Sequence, residues 1–193
     1  MAIESMLMAI AAQGLALDST IARAVPAGDD SAYGAGAAPT TTPALSPDLA
    51  PLAFVVGSCW RGTFPDGRQT DTHCFAPIYG GAFVRDRHVV EGAPQPYSGE
   101  TLYRWDAESR IIRYDYYASD GSHSDGAVLP AANGLGFPEE THRSPDGAEM
   151  LIRSSWTRDG ADAYVVLAET MRGEVWHPMW EMRMARVGPA AAD

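Results

Sequence analysis

Chemistry in this chain would have to come from five histidines, two cysteines and one short run of alternating charge. The histidines are His73, His88, His123, His142 and His177. None stands in an HxH, HxxxH or HExxH spacing, so no local segment supplies paired imidazoles, and a metal site would need ligands assembled across strands. His177, beside Pro178, has the parity opposite to Trp176 and Trp180 and is expected outward or at a rim. The run FVRDRHVV (83–90) is the most informative stretch. If Phe83 and Val89 point inward, Arg85 and Arg87 do too, which makes a cationic pocket for a carboxylate or similar anion. If Val84 and Val90 point inward, Asp86 and His88 follow, and a buried Asp–His pair could position a proton shuttle. Either set could instead serve only in cross-strand salt bridges, Arg85 or Arg87 with Asp115 or Glu169. Ser58, Ser154 and Ser155 lack a GxSxG context. No catalytic residue, metal ligand or cofactor is assigned.

Composition narrows the classes further. The chain has 193 residues, enough for one domain with a full core, and 46% of them are apolar. A formal charge of −11 argues against nucleic acid and anionic membrane surfaces, which both demand a basic patch. All 14 basic residues are arginine, so Schiff-base chemistry and lysine-dependent phosphate loops are excluded. No apolar run reaches the length of a membrane span. MLMAIAAQGLAL (6–17) followed by ARA (22–24) reads as a signal-peptide-like segment over 1–24, although MAIES carries no basic residue. A periplasmic or secreted location follows from that reading.

The elements that must position these residues are strands. Residues 25–47 are rich in Ala, Pro, Gly and Thr without periodicity and read as a disordered linker. Order should begin with Ser46 as N-cap and a short helix over roughly 47–54, kept short by Pro51. Beyond it, nine turn signals from Pro65-Asp66-Gly67 to Arg172-Gly173 separate ten segments rich in aromatic and β-branched residues. Short connections demand antiparallel neighbours, and closure removes exposed edges. The expectation is an all-β, ten-stranded antiparallel up-and-down barrel over 48–188, with a tail at 189–193.

A period of two assigns its lining. TLYRW puts Thr101, Tyr103 and Trp105 on one face, and IIRYDYY puts Ile112, Tyr114 and Tyr116 there. MLIRSSW adds Met150, Ile152, Ser154 and Trp156, and VWHPMWEMRM adds Trp176, Trp180, Met182 and Met184. These form either a packed core or the wall of a cavity.

The stretch LAFVVGSCWRG, a Gly–Trp pair just after a short helix, resembles the lipocalin-like (calycin) superfamily. The downstream run from YGGAFVRDRHVVEG through YSGETLYRWD to IIRYDYYASDG is similar to uncharacterised bacterial members of it. The resemblance covers about residues 48–187 and implies a small barrel, some members of the superfamily binding apolar molecules or haem. WRGTFPDG lacks the glycine-rich loop of the haem-binding nitrobindin branch, so no haem is expected. The first functional reading is therefore binding of a small, largely apolar or amphiphilic ligand, lined by Trp60, Arg85, Arg87, Tyr103, Trp105, Tyr114, Tyr116 and Trp156. Two alternatives stand beside it: a cofactor-free acid–base enzyme using Asp86 and His88 or the tyrosines, and an envelope structural protein with a filled barrel.

Cys59 and Cys74 flank the Pro65-Asp66-Gly67 turn. A three-residue loop there, with Gly67 in the left-handed region, pairs Phe64 with Arg68 and leaves the cysteines one step out of register. One further bulge, near Gly57-Ser58 or Asp71, sets them opposite each other. The expectation is a Cys59–Cys74 disulfide on the outer face, with Trp60 pointing in.

Overall fold

The computed structural model describes residues 44–191. The expected leader and the linker up to residue 43 lie outside the described residues. Ten strands follow in chain order: β1 (Ser58–Thr63), β2 (Thr70–Ile78), β3 (Phe83–Glu91), β4 (Tyr97–Asp106), β5 (Ile111–Ala118), β6 (His123–Ala131), β7 (Gly134–Arg143), β8 (Glu149–Arg158), β9 (Ala163–Arg172) and β10 (Val175–Pro189). Each pairs antiparallel with its sequence neighbour, and β1 pairs with β10 to close the barrel. Closure leaves no free edge, as the meander of short turns requires.

The expected short helix is not α-helical. Pro47–Leu52 is a 3-10 helix, opened by a Leu49 N–H to Ser46 C=O bond of 2.9 Å. Pro51 has no N–H to return to Pro47, so the tighter i→i+3 pattern is what remains to the chain. Ser46 makes no side-chain cap; its backbone N–H donates to Gly81 C=O at 3.0 Å instead.

The turn between β1 and β2 is one residue longer than expected. Phe64 N–H donates to Gln69 C=O at 2.9 Å, so four residues, Pro65 to Arg68, form the loop. Gly67 takes φ +70°, the left-handed position that the turn needs. The extra residue sets Cys59 opposite Cys74 without any bulge, and the two are disulfide-bonded. Trp60, the next residue, faces inward and is fully buried.

The alternation expected for the core holds through β1 to β5. Trp60, Tyr103, Tyr114 and Trp156 belong to one buried cluster with Phe75, Phe137, Tyr164 and Met184. Ring contacts link them: Phe75 to Trp156 at 5.7 Å, Trp156 to Phe137 at 4.7 Å and Phe137 to Tyr114 at 5.9 Å. Leu49, Leu52 and Val55 belong to the same cluster, and Trp60 Nε1 donates to Val55 C=O at 3.0 Å. The guanidinium of Arg186 lies 4.2 Å above the Trp60 ring and bonds Ser58. This end of the barrel is filled by its own side chains, and Trp105 packs half-buried against it.

Along β10 the alternation breaks. The register shifts between Pro178 and Trp180, so Met179 is an inserted residue and the face flips there. Trp176 therefore does not share the face of Trp180, Met182 and Met184; it lies under the Arg153 guanidinium, 4.6 Å from its centre. Arg153 and Glu169 pair across β8 and β9 at 2.6 and 3.0 Å, and Arg104 stands 3.9 Å from Asp115 across β4 and β5. Such a charged exterior over an aromatic interior is the reverse of a barrel that presents an apolar band to lipid. Among the described residues, no helix is long and apolar enough to cross a membrane.

Candidate functional site

The half of the barrel away from the 3-10 helix is lined differently. Register decides this. Trp60 pairs with His73, His73 with His88, and His88 with Gly99, so all four occupy one face across β1 to β4. Trp60 is buried inside, so the face is the inner one. Asp71 and Asp86 follow by the period of two and are buried as well. Of the two parities open to FVRDRHVV, β3 thus adopts the one that turns Val84, Asp86, His88 and Val90 inward. Arg85 and Arg87 stand on the opposite face, 3.8 and 3.9 Å from Glu100. The cationic lining expected from them is corrected by this register, and both arginines stand beside Glu100.

The inward groups form a continuous network. Asp71 holds both imidazoles, through Oδ2 to His73 Nε2 and through Oδ1 to His88 Nδ1, each at 3.1 Å. A carboxylate only accepts, so both histidines donate to it. His73 Nδ1 reaches Asp86 Oδ2 at 2.7 Å. His88 Nε2 meets the Tyr116 hydroxyl at 3.1 Å, and Tyr116 meets the Tyr97 hydroxyl at 2.9 Å. The two imidazole rings stack, with centroids 4.8 Å apart and planes 13° from parallel.

Glycine makes the crossing of His88 and Tyr116 feasible. A Cβ on Gly99 would stand 2.5 Å from His88 Nε2 and 2.8 Å from the Tyr116 oxygen. No side chain fits between them. This strand glycine therefore serves close approach rather than a turn.

Electrostatics follow from the partners. Burial alone would push the His73 imidazole down, but the charges of Asp86 and Asp71, with their hydrogen bonds, hold it well above its ordinary value. His73 is thus a cation donating from both nitrogens. Burial likewise pushes the Asp71 carboxyl up, yet the charge and hydrogen bond of His73, and then those of His88, hold it well below the usual carboxylate range. Burial raises Tyr116, helped by Tyr97, and raises Tyr103 and Tyr164, each helped by Asp86. These phenols stay protonated.

Two features give the network access and an unmet need. His73 keeps 21% of its side chain accessible although it faces inward between buried Trp60 and His88, so its ring is not fully closed off. Asp86 is 3% accessible, and its Oδ1 is buried with no hydrogen-bond partner. Buried carboxylate oxygens are rarely left so.

A second titratable group stands in the wall. Between Phe137 and Glu140 the β7 register gains a residue against β8, and this bulge turns Glu140 onto the face of Ile152 and Thr170. Burial pushes its carboxyl up to about 7. It lines a cleft of ≈ 320 Å³ with Arg113, Asp125, Gly126 and Arg143, where β6 and β7 lose their pairing between His123 and Leu129.

Of the residues singled out from the sequence, the structure brings Asp86, His88 and Tyr116 to the polar network and Tyr103 beside it. Trp60, Tyr114 and Trp156 lie in the aromatic core, Trp105 lies half-buried at its edge, and Arg85 and Arg87 lie outside. Asp71, His73, Tyr97 and Glu140 were not singled out as site residues. The first two carry a signal in TDTHC, a D-x-H spacing that one strand places on one face. His177 is exposed, but the bulge at Met179 pairs it with buried Thr170, so its parity is that of Trp180 and not the opposite one expected. No known protein-family model matches the chain, and no curated protein matches it.

Proposed function

We propose that the protein binds a small amphiphilic molecule at the polar end of its barrel, with a cationic or hydrogen-bond-donating head group meeting Asp71, Asp86 and Tyr116. The observation that carries this reading is the accessible, inward-facing His73 within a network of buried acceptors. Two carboxyl groups, Asp71 and Asp86, flank His73, and Asp86 Oδ1 awaits a donor. A carboxylate head is disfavoured there, because the nearby arginines face outward. The apolar part of the ligand has three half-buried side chains to lie on, Met150 and Ile152 on β8, across the barrel from β2 and β3, and Trp180 on β10. Trp60, Tyr114 and Trp156 form the floor beneath it. The disulfide suits an oxidising, periplasmic or secreted setting.

The test is a thermal-shift and native mass spectrometry panel of alkylamines and alkanoic acids of matched length. Amines should bind at least tenfold tighter than acids, and Asp86→Asn should erase the preference. Equal binding of both series, or loss of binding in an Arg85→Met/Arg87→Met double variant, would overturn the reading.

A second reading, cofactor-free acid–base catalysis, is favoured by one observation of its own. The hydrogen bonds run unbroken from Tyr97 through Tyr116, His88, Asp71 and His73 to Asp86, a path along which a proton could be passed.

A further inference from the structure

Asp71 and His73 are two residues apart on β2, and His88 is the direct partner of His73 on β3. Residues i and i+2 share a strand face, and a cross-strand pair places its side chains about 5 Å apart. Three donor atoms therefore converge from three positions of one sheet face. One atom from each residue, a carboxylate oxygen of Asp71 and a ring nitrogen of each histidine, lies within 4.8 Å of the others. We infer that Asp71, His73 and His88 form a binding site for a divalent transition-metal ion of the zinc class, which on binding displaces to solvent the two imidazole N–H protons that face Asp71 in the metal-free protein.

Distances support the fit. Two ligands held about 2.0 to 2.1 Å from a tetrahedral zinc stand roughly 3.3 Å apart. Each imidazole already stands 3.1 Å from an oxygen of Asp71. The nitrogens need to close by about 1.5 Å at most to meet a common tetrahedral ion, which tilting of the two stacked rings supplies.

The far side of each ring is also prepared. A metal-binding histidine almost always engages its other nitrogen with a carboxylate, carbonyl or hydroxyl, which fixes ring orientation. His73 has Asp86 there at 2.7 Å, and His88 has Tyr116 at 3.1 Å. Asp86 is buried and keeps a second oxygen without a partner, an acceptor that a nearby dication with its bound water would satisfy. Two imidazoles and one carboxylate suit zinc, cobalt or nickel; calcium and magnesium require mostly oxygen. Three protein ligands leave a fourth position, beside a His73 ring that is itself partly accessible. A coordination position open to solvent is the arrangement of metal centres that bind or activate a small molecule.

This inference concerns the same network as the proposed ligand site but does not depend on an organic ligand. The test uses metal alone. Full-length protein treated with EDTA and dialysed is titrated with Co(II) while visible absorption is recorded, and separately with Zn(II) by calorimetry. One ion per chain is expected, with intense bands between about 500 and 650 nm from a four-coordinate cobalt site. His88→Gln and Asp71→Asn should each weaken binding at least 100-fold, Asp86→Asn should weaken it about 10- to 100-fold, and His177→Gln should leave it unchanged. Should the core variants fail to fold, nitrogen-detected NMR of wild-type imidazoles decides the matter: Zn(II) should shift His73 and His88 alone. Absence of stoichiometric binding at 100 μM metal, or binding that shifts other histidines and survives the three substitutions, would overturn the site. The amine and acid panel, run on EDTA-treated protein, fails or succeeds independently.

Discussion

Replacing Glu140 by glutamine should stabilise the barrel in alkali and leave it unchanged in acid. The bulge in β7 turns this carboxyl inward, and burial raises its pKa from 4.5 to about 7. Below pH 4.5 the group is protonated whether the chain is folded or unfolded, so it contributes no pH-dependent difference. Between 4.5 and 7 the unfolded chain has ionised while the folded one has not, and stability falls as pH rises. Above 7 the cost is constant. A shift of this size corresponds to roughly 3 kcal/mol, and the solvent-filled cleft beside the group screens it to about 1 to 2 kcal/mol. The charged groups around the cleft are Arg113, Asp125, Glu139 and Arg143, and the Tyr103 hydroxyl feels the same carboxylate from inside. Glutamine keeps the shape and removes the ionisation. Urea unfolding at pH 8 should then show a gain of about 1 to 2 kcal/mol for Glu140→Gln, falling to near zero at pH 4. An equal gain at both pH values would mean that packing, not charge, is responsible. A loss at pH 8 would mean that the ionised form is held by Arg113 or Arg143, and the burial argument would fail.

Three further perturbations test the frame around the site. Trp60→Ala empties a fully buried indole and removes its bond to Val55, so denaturant unfolding should register a loss of about 3 to 5 kcal/mol; under 1 kcal/mol would place Trp60 at the surface. Reducing Cys59–Cys74, or replacing both by serine, frees a 15-residue loop and should cost up to about 3 kcal/mol, while two freely alkylated thiols in the unreduced, unfolded protein would disprove the bridge. Gly99→Ala forces a methyl group into the His88–Tyr116 contact and should lower stability by about 1 to 3 kcal/mol and shift the His88 imidazole resonances; an unperturbed His88 spectrum would show that the network is looser than described.

Why the barrel was legible and half of the site was not comes down to register. Strand number, order and the inward set Trp60, Tyr103, Tyr114 and Trp156 follow from period-two patterning punctuated by glycine turns, and a one-residue error in a turn does not change them. Which residues meet across strands does depend on that one residue. The loop after Phe64 holds four residues where three were expected, and that difference alone brings Cys59 opposite Cys74. The loop after Ile78 works the same way: Ile78 pairs with Phe83, so His73 meets His88, whereas a loop one residue shorter would have put Arg87 there. Bulges erase the signal altogether. Met179 inverts Trp176, and the extra residue in β7 turns a glutamate inward that alternation would have left outside.

The same dependence bears on what the polar end can be. A histidine pair in direct register, an aspartate two residues away and a glycine that clears the crossing require three strands to be correct to the residue at once. The disulfide sits one residue from Trp60 and one from His73, and it fixes the β1–β2 register on which Trp60 and His73 pair. Beyond loop entropy, the bridge thereby works against the slip that would turn His73 to the outer face. Reduction should therefore disturb the site more than the barrel. If imidazole resonances of His73 and His88 broaden in the reduced protein while far-ultraviolet circular dichroism is retained, the bridge is setting register; if they stay sharp and unshifted, the β2–β3 pairing is sufficient and the disulfide serves stability alone.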